Sequence, residues 1–179
     1  KPTNVDTNSR ILCYDIRDLG KQLLPVGMLV VLDSVFNRII RNRRLGRSTW
    51  VYIDEIYLLF QHEYSANFLF TLWKRVRKYG ACCTGLTQNV DDLLQSHTAR
   101  TMLANSEFLV MLNQASTDRA ELAHLLNISD NQLSYITNVD FGRGLIKCGS
   151  AIVPFMDHFP KNNLYRLMST KLSETDAAA

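Results

Sequence analysis

Apolar residues along the chain follow two rhythms. Short, nearly continuous apolar runs occur at "RILCYDI" (10–16), "WVYID" (50–54), "ACCTGLTQ" (81–88) and "EFLVMLN" (107–113). Runs of this length, rich in β-branched and aromatic residues and bounded by polar ones, predict strands. Between them apolar residues recur at helical spacing. In "PVGMLVVLDSVFNRIIRNRRLG" they fall at Leu29, Leu32, Val35, Phe36, Ile39 and Ile40, which keeps one face of a long helix buried. Pro25 suits the first turn of that helix and Gly46 its end. "SANFLFTLWKRVRKYG" predicts a second helix, opened by Ser65 and stopped by Gly80. "DDLLQSHTARTML" and "STDRAELAHLL" predict further helices, and "SDNQLSYI" opens another, with Ser129 and Gln132 at capping-box spacing. The last part changes rhythm: "GRGLIKCGSAIVPF" predicts a hairpin turning at Gly149 and Ser150.

Strands alternating with helices predict an α/β domain with a mostly parallel sheet, and the apolar strands predict helices on both faces of it. Ligands of such sheets bind beyond the carboxyl ends of the strands. Asp54 and Glu55 follow "WVYI", Gln88 and Asn89 follow "CCTGLT", and Asn113 and Gln114 follow "FLVML". Unpaired buried charge is expensive. Two adjacent acids closing an apolar run therefore either reach solvent at a strand tip or hold something. At such a tip one acid can bind Mg²⁺ through its water shell, a second can polarise an attacking water, and an amide on a neighbouring strand can contact that water or a γ-phosphate. The plain alternative is that Asp54 only caps the helix that follows.

Composition narrows this little. A chain of 179 residues with 46% hydrophobic and 21% charged residues suits one soluble globular domain with a sizeable core. The longest apolar stretch, around Leu23 to Leu32, is shorter than the roughly 18 residues a bilayer span needs, so no transmembrane segment is expected. A net charge of +3 is too mild to imply nucleic-acid binding by itself. Cys13, Cys82, Cys83 and Cys148 lack zinc-type spacing and predict reduced, buried thiols. The scattered histidines argue against a His/Cys metal site. Arg38, Arg41, Arg43, Arg44 and Arg47 crowd one helix end, which reads first as dipole compensation and second as a contact for DNA, acidic lipid or a partner. "MDHFPKNNLYRLMST" reads first as a segment packed back on the core and second as a docking face for a partner.

Four blocks in order, "STWVYIDEIYLLF", "WKRVRKYGACCTGLTQNVDDLL", "LANSEFLVMLNQASTDRAELAHLLNIS" and "GRGLIKCGSAIVPFMDHFPKNNLYRLMST", resemble the C-terminal part of conjugative-transfer ATPases of the VirB/TraC/TrbE type, which power type IV secretion. The resemblance runs from about Arg10 to Thr170 and is greatest to versions carried by conjugative elements of Gram-positive bacteria. It implies a RecA-like P-loop NTPase core of the HerA/FtsK type. It also implies ATP and Mg²⁺ as cofactors, and self-association, often as a hexamer, beside other secretion components and a coupling protein. The implied location is cytoplasmic, peripheral at the inner face of the bacterial membrane. Carried over by position, Asp54 is the Walker B acid that binds Mg²⁺ through water, Glu55 the catalytic glutamate and Gln88 the γ-phosphate sensor. Arg75 and Arg77 match the family's basic stretch, as groups reaching a neighbouring subunit's nucleotide. One departure is large. The phosphate loop G-x-x-x-x-G-K-[ST] is missing, and "GRGLIKCGS" has the wrong spacing. The expectation is therefore a fragment: residues 1–170 as the Walker B half of the ATPase domain, without the Walker A strand and loop, and 171–179 as a flexible tail. Alone, it should bind ATP weakly and not turn it over. The competing readings are a non-catalytic docking module of the secretion machinery and a DNA-translocating motor of the HerA/FtsK type.

Overall fold

The long helical rhythm starts earlier than its sequence signals suggest. In a computed structural model, which describes residues 6–88, 90–114 and 116–168, α1 runs Gly20–Arg44, so Pro25 lies inside the helix rather than in its first turn. Proline lacks a backbone donor, but tertiary packing of one face supplies most helical stability in a folded chain, and here Met28, Leu32 and Ile39 are buried. Gly46, at φ 68°, follows the helix end as expected, with its N–H bonded to the Arg43 carbonyl at 3.1 Å. Over Gln22–Arg44 this helix is long and apolar enough to cross a membrane by length and composition. The expectation of no such segment therefore does not follow from composition. Only part of α1 packs: it lies against its neighbours through Ile39 and through Phe36, whose ring meets those of Phe68 at 6.3 Å and Tyr79 at 5.6 Å, both edge-on, while Leu23, Val26 and Val30 are exposed.

The run 10–16 is irregular rather than a strand. A strand needs a pairing partner; here Tyr14 Oη bonds Ser34 Oγ of α1 at 2.8 Å, the Ile16 carbonyl accepts the Leu19 N–H at 3.3 Å, and just before the run Arg38 donates to the Ser9 carbonyl at 2.9 Å. Arg41 likewise donates to Asn8 Oδ1 at 3.1 Å. Two of the basic residues at the helix end thus hold the N-terminal segment.

Next come β1 (Thr49–Ile53), a 3-10 turn (Ile56–Phe60), α2 (Glu63–Arg75), a second 3-10 turn (Val76–Tyr79) and β2 (Ala81–Gly85). β1 and β2 pair in parallel, from Thr49 opposite Ala81 to Ile53 opposite Gly85. Parallel strands need a crossover, and α2 supplies it through Ser65, Ala66, Leu69 and Leu72, all buried. Ser65 is not the N-cap: α2 opens at His62, and the Ser65 hydroxyl donates to the Leu59 carbonyl at 2.6 Å and the His62 carbonyl at 3.0 Å. Gly80, at φ 66°, ends the crossover as expected. α3 (Val90–Gln95) and α4 (His97–Ala104) follow, divided at Ser96.

β3 (Phe108–Met111), α5 (Ser116–Leu126), α6 (Asp130–Leu133), β4 (Arg143–Cys148), β5 (Ala151–Met156) and α7 (Asn163–Met168) complete the order. β3, β4 and β5 form an antiparallel sheet, and β4–β5 is the predicted hairpin. The capping box forms as read: Ser129 Oγ accepts the Gln132 N–H, and Gln132 Oε1 accepts the Ser129 N–H. The chain separates into two units, residues 1–102 and 103–179. Ile39, Leu69, Leu72 and Leu94 centre the first core, and Ile136 and Leu145 the second. The predicted tail, 171–179, lies outside the described residues.

The expected mostly parallel sheet is thus a parallel pair in one unit and an antiparallel trio in the other. Burial on both faces of the strands also needs correcting. Along β1 the odd positions are half-buried while Trp50 and Tyr52 are 65% and 67% exposed, so only one face of this pair packs within its unit. Apolar composition alone does not say which side of a strand has a neighbour. The same alternation corrects the thiols. Cys82 faces outward with Trp50, Cys13 and Cys148 are also exposed, and only Cys83 is half-buried; all four are free. Burial, with a smaller contribution from neighbouring Cys82, pushes the Cys83 thiol up to about 12.

Candidate functional site

Because Ile53 lies opposite Gly85 in a parallel pair, Asp54 and Glu55 leave the sheet at the edge where Leu86, Thr87 and Gln88 also leave it. One residue stitches the two exits together. The Leu86 N–H donates to the Ile53 carbonyl at 2.8 Å, and the Leu86 carbonyl accepts the Ile56 N–H at 2.9 Å. The Asp54–Glu55 turn is therefore bracketed by two backbone bonds to the strand that leads to Gln88.

Within the turn, Asp54 is exposed, and its Oδ1 accepts the N–H of Glu55 at 3.0 Å. A helix cap would bond an amide two or three residues on. Asp54 bonds the adjacent amide instead, and the following 3-10 turn has no side-chain cap. Glu55 adopts a left-handed conformation, φ 46° and ψ 48°, which for a residue with a Cβ costs about 1–2 kcal/mol. Its Oε2 is buried and has no hydrogen-bond partner among the described residues. A carboxylate oxygen taken from water without a donor is costly. Strained backbone and unsatisfied polar atoms of this kind concentrate at functional sites.

Gln88 is exposed, three residues past the end of β2, and Asn89 lies outside the described residues. Arg75 ends α2 and Arg77 sits in the second 3-10 turn, both exposed. They precede Ala81, whereas Gln88 follows Gly85. A strand of five residues puts about 16 Å between those ends, so within one chain the two arginines stand apart from the acids. Beside them Lys74 lies over the Phe70 ring at 4.1 Å, an interaction that also stabilises the basic helix end. Asn113 and Gln114 belong to the second unit and hold its loops. Asn113 Oδ1 accepts the Val139 N–H at 3.4 Å, and Gln114 bonds the Ile136 carbonyl through its N–H at 2.9 Å and the Leu112 carbonyl through Nε2 at 3.1 Å. Of the polar residues at three predicted strand tips, those of β1 and β2 share an edge. Gly85 and Leu86 were missed by sequence reasoning, although a glycine inside a strand signals close approach of a neighbour.

No group of three or more His, Cys, Asp or Glu able to cage a metal occurs among the described residues. Mg²⁺ asks for less: it keeps several waters and takes one or two carboxylates plus substrate phosphates. Exposed Asp54, beside an acid with an unpartnered oxygen, fits that demand, and both are hard oxygen donors.

Residues 4–143 match the family model of the TraG P-loop domain. Among solved structures, that of VirB4 of Thermoanaerobacter pseudethanolicus is similar, with a TM-score of 0.78 and 26% identity. The match covers 89% of this chain and 44% of that one, so the chain spans less than half of that protein's length. No curated protein matches the sequence. The RecA-like α/β core inferred from the four sequence blocks is thus the fold, and the chain belongs to the TraG P-loop domain family.

Proposed function

We propose that this chain is the Walker B half of a secretion motor's ATPase domain, within residues 1–170, and that in the intact protein ATP hydrolysis there energises transfer of DNA or protein through a type IV channel. The observation that carries the reading is the Asp54–Glu55 turn. It is held against the exit of β2 by both backbone groups of Leu86, with Glu55 in a left-handed conformation and one of its oxygens buried without a partner among the described residues.

In this reading Asp54 holds Mg²⁺ through water, Glu55 orients and polarises the attacking water, and Gln88 contacts that water or the γ-phosphate. The metal supplies charge neutralisation on the phosphate oxygens when bound. Arg75 and Arg77, at the far end of β2, act on the nucleotide of a neighbouring copy, a role that their separation from this chain's own acids supports. The 179 residues contain no phosphate-loop motif, and that loop's backbone amides and lysine are the main ligands of the β- and γ-phosphates. The chain alone therefore binds ATP weakly and does not turn it over. Its partners are further copies of itself, the other secretion components and the coupling protein, at the inner face of the membrane.

The test is Glu55→Gln in the intact protein. Turnover should fall to background while Mg²⁺-ATP binding is kept. An unchanged hydrolysis rate would remove Glu55 from its role.

A further inference from the structure

Gly85 is the last residue of β2, and the Ile56 side chain lies directly on its Cα. A Cβ built at position 85 would stand 2.5 Å from Ile56 Cδ1, 3.2 Å from Cγ2 and 3.4 Å from Cβ. Cδ1 ends the side chain and can turn aside, but Cγ2 is fixed to the branched Cβ and its contact is tighter than nearly all real ones, so the buried Ile56 must itself shift to admit a methyl. Gly85 is not among the glycines with positive φ, so the position needs a glycine for room and not for backbone freedom. Ile56 is 5% exposed, and its N–H is one of the two bonds that bracket the acidic turn. It is also the residue immediately after Glu55. Where Ile56 seats therefore decides where the peptide after Glu55 points, and with it the left-handed conformation and the carboxylate's direction.

We propose that Gly85 is a positioning residue. Its bare Cα forms the seat for Ile56, and that seat, with the Leu86 backbone bonds, holds Glu55 at a fixed place relative to Gln88. The glycine touches no reacting group and acts through Ile56. The seat itself is independent of the ATPase reading; its consequence for turnover rests on that reading.

Three variants of the intact protein test this: Gly85→Ala, Gly85→Ala with Ile56→Val, and Ile56→Ala. The readouts are kcat and KM for ATP, and backbone amide exchange at Ile56 and Leu86. Gly85→Ala should lower kcat by about tenfold to a hundredfold, the scale of a small misplacement of a catalytic group, with KM nearly unchanged. Exchange at both amides should quicken. Ile56→Val removes Cδ1, the atom nearest the new methyl, and should restore both readouts in the double variant. Ile56→Ala unseats the side chain without adding an atom, so it remains informative if Gly85→Ala does not fold; it should lower kcat with KM unchanged. Wild-type kcat and exchange in Gly85→Ala, no rescue in the double variant, or normal turnover in Ile56→Ala would each overturn the proposal. If exchange responds as stated but Glu55→Gln still hydrolyses ATP, the seat stands and the ATPase assignment falls.

Discussion

Replacing Glu55 by glycine should make the protein more stable. Two features of the native residue are unfavourable: a left-handed backbone with a Cβ attached, and a buried oxygen with no donor among the described residues. The first costs about 1–2 kcal/mol and the second about 1–3 kcal/mol. Glycine removes both. Against this stand the greater freedom of glycine in the unfolded chain, roughly 0.5–1 kcal/mol, and loss of the glutamate's methylenes, about 0.8 kcal/mol for each that is fully buried. Glu55 is only half-buried, which limits that last loss. The balance is a gain of roughly 2 kcal/mol, which raises the urea midpoint of the first unit by about 1 M. Both tryptophans, Trp50 and Trp73, lie in the first unit, so tryptophan fluorescence during urea unfolding of the 179-residue chain reports that unit alone. Glu55→Gln, which keeps the side chain's volume and the left-handed strain, is the control and should gain less. A loss of more than about 1 kcal/mol in Glu55→Gly would show that the carboxylate has a structural partner. Glu55 would then be held by its fold rather than kept for function at a cost in stability.

Two other changes probe the surroundings of the turn. Ser65→Ala removes the hydroxyl that bonds the Leu59 carbonyl inside the crossover and should cost about 1–3 kcal/mol in the same unfolding assay; no measurable loss would mean that water replaces the bond. For Cys83, the folded thiol keeps its proton up to about 12, while the unfolded one releases it near the ordinary value of 9.0. Stability is therefore unaffected by this group below pH 9 and falls as pH rises through that window, by up to about 1.4 kcal/mol per pH unit. Cys83→Ala should lack this part of the alkaline decline, and in the wild type a thiol reagent at pH 8 should modify Cys13, Cys82 and Cys148 well before Cys83.

The line of the chain already determined much of the site. An apolar run that ends in two acids, a glycine-stopped crossover helix and a second run leading to Gln88 were enough to place Asp54, Glu55 and Gln88 at one sheet edge. Parallel pairing of consecutive strands allows little else. The capping box at Ser129 and Gln132 and the turn at Gly149 and Ser150 were legible for the same reason: each depends on bonds within a few residues. What depended on distant neighbours was not. Pro25 sits inside α1 because packing further along the helix outweighs one missing donor, and the run 10–16 stays irregular because no strand edge pairs with it. Ser65 serves the turn before its helix, since the Leu59 carbonyl lies within its reach. Trp50 and Tyr52 are exposed because apolar character does not state which face is covered. The seat of Ile56 on Gly85 belongs to the same class. It joins residues 29 apart in the chain, and the space a missing side chain leaves has meaning only once the neighbour that fills it is known.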